Sequence, residues 1–307
     1  MRKIYTIGET VLDIVFKNSI PVTAKAGGSM LNTAVSIGRL GLPVSFISEY
    51  ALDEIGDMID NFLKLNGTDN QHVYRYNDGK SALALAFLDD KNNAAYSFYK
   101  AYSAHRLNIS FPEVKKDDIV MFGSYYGMTY EIRDILKDFL LKAKKNGALI
   151  IYDPNFRKSH LFEIERLKPA IIENMTFATI VRCSNEDVEM IFNAENVDDA
   201  YKFIGPLCPN MIYTSSSNAV YLHTPNIQTK YPVKKISPVS TIGAGDNFNA
   251  GLIFGLYKNQ IKLNNISDLS AEHWQRLVTL GVEFASDVCM SYENYISIEF
   301  AKNIIKN

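Results

Sequence analysis

The chain has 307 residues, 47% hydrophobic and 21% charged, with a formal net charge of -2. Such a chain can bury a substantial core, in about two domains or one large α/β unit with an appendage. The near-neutral balance excludes the electrostatic footprint of a nucleic-acid or membrane-surface binder, and no apolar run is long enough to span a membrane. Three separated cysteines (Cys183, Cys208, Cys289) form no C-x-x-C, and the N-terminus enters a strand without a signal segment. A reducing, cytoplasmic setting is expected. Five histidines show no metal-ligand spacing, so no protein-held metal centre is expected.

In chain order, Lys3 to Gly8 and Val11 to Phe16 read as strands, with Asp13 interrupting the second. Ala26-Gly27-Gly28-Ser29-Met30-Leu31-Asn32 leads into a helix whose apolar face is Leu31, Ala34, Val35, Ile37 and Leu40, and Gly41 ends it. A glycine pair before a helix lets a ligand approach the backbone, and Asn32 in the first turn can reach a hydroxyl. Val44 to Ser48 is a strand, Asp53 to Asn66 a helix, and His72 to Tyr76 a short strand. Ser81 to Leu88 and Ala94 to Tyr99 read as a hairpin turning at Asp89 to Asn93. Leu83, Leu85 and Phe87 share one of its faces and Ala82, Ala84, Ala86 and Leu88 the other, so both faces should be covered.

From Asp118 onward strands and helices alternate. Strands are expected at 119–122, 148–152, 177–181 and 211–214, and helices at 130–146, 161–174 and 185–192. Two antiparallel edge strands (219–223, 227–233) precede a glycine-rich stretch, and helices near 271–287 and 297–305 close the chain. This alternation implies an α/β fold, a mostly parallel doubly wound sheet with helices on both faces. Ligands bind such sheets at the carboxyl ends of the strands, where Asp13, Asp153, Thr214 and Asp246 all fall.

The glycine-rich stretch is Thr241-Ile-Gly243-Ala244-Gly245-Asp246-Asn-Phe248-Asn-Ala-Gly251. It is no dinucleotide fingerprint, because Phe248 stands where a third glycine belongs, and no P-loop, because no Lys-Ser or Lys-Thr follows. It sits where a loop becomes a helix N-terminus, whose free N–H groups and dipole attract an anion. Asp246 in that place can take a proton from a hydroxyl while the N–H groups hold charge developing on a phosphoryl group. Downstream of the 148–152 strand, Asp153-Pro-Asn155-Phe-Arg157 is a strand–helix turn in which Arg157 can bind phosphate through two parallel bonds.

Together, A-G-G-x-x-x-N-x-A followed by R-L-G, and T-x-G-A-G-D-x-F-x-A-G, resemble the two signatures of the ribokinase-type (PfkB-like) carbohydrate kinases. The D-x-N-x-R element and Gly8-Glu9 resemble its fructokinase-like branch. The resemblance covers nearly the whole chain. It implies one kinase domain over residues 1–307 with a small β-sheet lid formed near 11–23 and 71–101. It also implies ATP and Mg²⁺, and a homodimer joined through the lid. The implied substrate-binding residues are Asp13, Gly27, Gly28 and Asn32, which hold the sugar, together with Arg157. Asp246 is the implied base, and Gly243, Ala244 and Gly245 the anion hole. Four departures fall on the nucleotide side. Ser240 replaces an aspartate of the last signature. Ser184 and Asp187 fit the spacing of the family's N-x-x-E. The loop Thr214 to Ala219 lacks both usual glycines, and Met290 to Tyr295 lacks another. Thr214 and Thr241 complete the expected ATP side. The expected activity is ATP-dependent phosphorylation of a sugar primary hydroxyl. The alternatives are a nucleoside kinase, with Tyr125 or Tyr126 facing the base, and a sugar-binding homologue with weak or no turnover.

Overall fold

The structure, a computed structural model, describes residues 1–89, 94–216, 218–233 and 235–306. The strands are β1 (Ile4–Ile7), β2 (Val11–Lys17), β3 (Ile20–Gly27), β4 (Val44–Ala51), β5 (Val73–Tyr76), β6 (Lys80–Leu88), β7 (Ala94–Ala101), β8 (Ile119–Gly123), β9 (Leu149–Asp153), β10 (Ile180–Ser184), β11 (Met211–Ser215), β12 (Ala219–His223) and β13 (Gln228–Pro232). The α-helices are α1 (Ser29–Arg39), α2 (Glu54–Leu65), α3 (Arg133–Lys145), α4 (Ile164–Phe177), α5 (Asn185–Phe192), α6 (Val197–Ile204), α7 (Ala244–Lys258), α8 (Ala271–Cys289) and α9 (Ile298–Lys306).

Nine strands form one sheet in the order β13-β12-β11-β10-β9-β8-β1-β4-β5, and four form a smaller sheet, β3-β2-β6-β7. In the large sheet β5 to β11 pair in parallel, and β12 and β13 add antiparallel at one edge, as expected. Successive strand residues point to opposite faces. Ile4, Ile119, Met121, Leu149 and Ile151 therefore join α1, α2, α7, α8 and α9 in one core layer. Tyr5, Ile7, Val120, Phe122, Ile150 and Tyr152 join α3, α4, α5 and α6 in the other. Two covered faces explain why these strands read as unbroken apolar runs.

Several boundaries differ from the sequence reading. β3 forms where no strand was expected; five of its eight residues are exposed, so it carries no burial pattern to read. α6 was also missed, although Asn196 caps it by accepting the Asp199 N–H at 3.0 Å. The strand expected at 177–181 lies at 180–184, and the helix expected from 161 opens as a 3₁₀ turn (Lys158–Glu163) before α4. Val73–Tyr76, expected within the lid, instead pairs with β4 at the edge of the large sheet. A strand returning after α2 docks parallel beside the strand it left. The smaller sheet is thus built from 11–27 and 80–101. The expected hairpin turn at Asp90 to Asn93 lies outside the described residues.

The two faces of the smaller sheet are not equally covered. Ala82, Ala84 and Ala86 are buried, on the face that also carries Asp13. On the other face Phe16 stacks on Phe87 with ring centroids 5.0 Å apart, and Phe87 is 43% and Tyr99 59% exposed. Among the described residues, then, this second face is the less covered one.

Candidate active site

The site lies where the carboxyl ends of the large sheet meet the smaller sheet and the N-termini of α1 and α7. Gly28 precedes α1 at φ +130°, and a Cβ there would stand 2.3 Å from the Glu9 carbonyl oxygen. No side chain fits that backbone. A Cβ on Gly27 would stand 2.0 Å from Asp13 Oδ2, so the Asp13 carboxylate occupies the space a side chain would fill. Asp13 is half-buried on β2, and burial pushes its pKa up to about 6, with Lys25 pulling the other way.

α1 packs against α7, and their polar faces meet at Asp246. Ser29 Oγ donates to Asp246 Oδ1 at 2.6 Å and Asn32 Nδ2 to Oδ2 at 2.8 Å. Thr33 Oγ1 donates to the Asp246 carbonyl at 2.9 Å. Asp246 is 6% exposed. Burial raises its pKa, opposed by these two side-chain donors and by the charge of Arg157. Asn32 Oδ1 is buried without a partner. A buried acceptor left open this way calls for a donor, and a ligand hydroxyl is one. Arg157 is exposed and makes no ion pair among the described residues, although its field reaches Asp246.

The turn before α7 is fixed from the other side. Gly243 sits at φ +80°, and a Cβ there would stand 2.7 Å from the Asn294 carbonyl oxygen. Asn247 Nδ2 donates to the Gly243 and Asn294 carbonyls, each at 2.8 Å. The first-turn N–H groups have no acceptor within the helix. Of the three expected anion-hole donors, Ala244 makes one long turn bond, 3.3 Å, to the carbonyl of Thr241, which is itself exposed.

On the nucleotide side the expected residues are engaged within the chain. Ser184 caps α5 by accepting the Asp187 N–H at 3.1 Å, while Asp187 Oδ2 accepts the Ser184 N–H at 2.7 Å. Asp187 Oδ1 accepts the Phe156 N–H at 2.6 Å. Burial and the neighbouring Asp153 carboxylate push the Asp187 pKa up. Thr214 Oγ1 accepts from Arg182 at 2.7 Å. Tyr126 is buried, and its hydroxyl donates to Glu49 at 3.1 Å; Tyr125 stacks on His160 at 4.0 Å. Neither ring stands free for a base. Among the described residues no three His, Cys, Asp or Glu side chains are grouped to hold a metal, and no helix is long and apolar enough to cross a membrane.

Three participants escaped the sequence reading: Ser29, Arg182 and Asn249. Only Arg182 left a signal, a charge inside the buried strand Ile180-Val181-Arg182-Cys183.

Two facing helix N-termini with a buried carboxylate between them, at the mouth of a parallel sheet, define a phosphotransferase-like site. The model of the pfkB family of carbohydrate kinases matches residues 1–299. The chain belongs to that family. It is 29% identical over 261 residues to "Probable fructokinase-6, chloroplastic" of Arabidopsis thaliana, spanning 80% of this chain and 68% of that protein. It is 26% identical over 275 residues to fructokinase-1 of Zea mays, spanning 85% of each. Among solved structures, a Vibrio cholerae O395 fructokinase bound to fructose, ADP and potassium superimposes with TM-score 0.86 at 19% identity, covering 99% of this chain and 98% of that one. An aminoimidazole riboside kinase from Salmonella enterica, complexed with its riboside and an ATP analogue, gives TM-score 0.82 at 19% identity, covering 99% and 100%. The fold is thus the ribokinase-like one expected, and the chain is a fructokinase-like, ATP-dependent carbohydrate kinase.

Proposed function

We propose that the enzyme transfers the γ-phosphoryl group of ATP to a primary hydroxyl of a fructose-like sugar. The observation that carries this reading is Asp246, a buried carboxylate in the first turn of α7 held by two donors from α1. A carboxylate has about four lone-pair directions, so room remains for a substrate hydroxyl. Burial strengthens Asp246 as a proton acceptor, which suits a general base. The N–H groups of Gly243, Ala244 and Gly245 lie where the transferring phosphoryl group develops charge. Asp13, Gly27, Gly28 and the open Oδ1 of Asn32 bind the sugar hydroxyls, and Arg157 binds phosphoryl oxygens through its free fork.

Thr241 and the strand ends bearing Ser184 and Thr214 border the nucleotide, with Asp187 behind them. Mg²⁺ keeps several waters and binds mainly through substrate phosphates, so it fits a site without a carboxylate cage; bound there, it neutralises phosphate charge. The smaller sheet acts as a lid that excludes water from the competing hydrolysis. Its open face, with Leu83, Leu85, Phe87 and Tyr99, takes a second copy of the chain, making a homodimer. Three buried, unpaired cysteines suit the cytoplasm.

The test is ADP release over a panel of ketoses, aldoses and nucleosides. Fructose-dependent release is expected. Release with nucleosides alone moves the assignment to a nucleoside kinase. Sugar binding without release makes the chain a binding homologue.

A further inference from the structure

Arg182 is a cation almost wholly out of water, 7% exposed, in the middle of the large sheet. Burying a charge is costly unless its partners are well placed. Its Nη1 donates to Asp153 Oδ2 at 2.9 Å, and Nη2 to Thr214 Oγ1 at 2.7 Å. Asn249 Nδ2, from α7, donates to the same Asp153 oxygen at 2.7 Å. The guanidinium therefore ties the carboxyl ends of β9, β10 and β11 to α7. Its carbon lies 5.6 Å from the centre of the Phe248 ring, also on α7.

The contact with Gly245 is closer still. A Cβ on Gly245 would stand 2.9 Å from Nη1 and 3.3 Å from Nη2. So a side chain at the second glycine of the Gly243-Ala-Gly245 turn would meet the guanidinium, which two hydrogen bonds hold in place on the turn's inner side. A plain ion pair with Asp153 would not need this packing. Nε is buried without a partner among the described residues.

We infer that Arg182 is a positioning residue for phosphoryl transfer: its guanidinium buttresses the first turn of α7 from inside the sheet and keeps the anion-hole N–H groups aimed at the transferring group. The inference rests on the kinase reading above. The turn is pinned outside by Asn294 and Asn247, and Arg182 supplies the inner support. Misplacing such donors by even a fraction of an ångström weakens transition-state stabilisation more than ground-state binding.

The test uses the full chain, with kcat and KM measured by ADP release and referred to the folded fraction. Arg182→Met keeps the bulk and removes the fork. We expect kcat to fall about tenfold or more, with KM for ATP moving less. Turnover within about twofold of wild type overturns the proposal. The second arm uses Gly245→Ala, whose methyl group collides with the guanidinium. Arg182→Lys withdraws the planar head, so in the double variant the loss in kcat should be smaller than the product of the losses of Gly245→Ala and Arg182→Lys alone. Losses that simply multiply overturn the proposal, and this arm stands even if Arg182→Met does not fold. If wild type releases no ADP with any acceptor, the kinase reading fails by itself. Calorimetry with ADP plus aluminium fluoride, which mimics the transferring group, then decides for Arg182: about tenfold weaker binding in Arg182→Met supports the buttress, and unchanged binding overturns it.

Discussion

At the acceptor end of the cleft, Asp13, Asn32 and Asp246 come from β2, α1 and α7, and they converge with acceptor capacity to spare. Asn32 Oδ1 has no partner among the described residues. At the nucleotide end, Ser184, Asp187 and Thr214 come from adjacent strand ends and the helix after them, and their polar atoms close on one another, on Phe156 N–H and on Arg182. The first arrangement leaves acceptors open, as the proposed sugar hydroxyls require. The second ties the carboxyl ends of β10 and β11 together and leaves the proposed nucleotide mainly backbone and shape. Substitution should therefore cost turnover at the first end and stability at the second.

The largest effect belongs to the acceptor end. Asp246→Asn keeps both donors from α1 near their places but cannot take up a proton. Turnover should fall by roughly 10²–10⁴ while fold and sugar affinity persist. Near-native turnover in this variant would remove Asp246 from the mechanism and dissolve the contrast between the two ends.

Asp13 sharpens the same contrast through pH. Its pKa in the fold is about 6, above the usual carboxylate value, chiefly through burial. Sugar hydroxyls donate best to the ionised form, so kcat/KM for the sugar should rise as pH rises through about 6 and then level. The stability effect runs the other way. Below the unfolded-state value both states hold the proton. Between that value and about 6 the folded chain keeps its proton while the unfolded chain releases it, so this group's contribution falls as pH rises and is constant above. Asp13→Asn should flatten both profiles and lower kcat/KM by about 10–100-fold, the worth of a hydrogen bond to a charged group. A kcat/KM profile unchanged by the substitution would take Asp13 out of the sugar site.

How far the sequence carried the reading depended on whether a residue's partner was near in sequence. Gly27, Gly28 and Asp246 sit in local motifs with the backbone signature of helix N-termini, and each lies where those motifs place it. The main parallel sheet was legible because its strands are apolar on both faces. β3 was not, because a mostly exposed strand between Pro21 and Lys25 has no period to detect. Arg182 was visible as an odd charge, but its contacts with Asp153, Thr214 and Gly245 come from separate elements and follow only from their register. Ser29 was not singled out, since its partner Asp246 lies 217 positions away.

A smaller effect is expected on the smaller sheet. Leu85→Lys places a charge in the open apolar face, and the proposed homodimer should weaken by about tenfold or more in dissociation constant. Light scattering across micromolar concentrations checks it. A wild-type chain that is monomeric there leaves the open face without the occupant proposed for it.

The smallest effect expected is none at all, and it comes from the nucleotide end. The Vibrio cholerae fructokinase of similar fold is bound to potassium, and the aspartate usual in the last signature and the carbonyls of the late loop are oxygens of the kind such an ion takes. Here Ser240 stands in place of that aspartate, and its Oγ accepts the Ile242 N–H at 3.2 Å. The Cys289 carbonyl accepts the Val239 N–H at 2.8 Å, and the Asn294 carbonyl accepts from Asn247. Hard cations need several charged or carbonyl oxygens free in a fixed cage to offset the loss of their water. With the carboxylate gone, the charged oxygen that would offset the ion's dehydration is missing. Initial rates in potassium, in sodium and in a bulky organic cation at fixed ionic strength should therefore agree within about twofold. Strong activation by potassium alone would mean that the cage is rebuilt from other groups, with Glu293 in the same loop the first to replace. The nucleotide end would then be organised for a ligand after all.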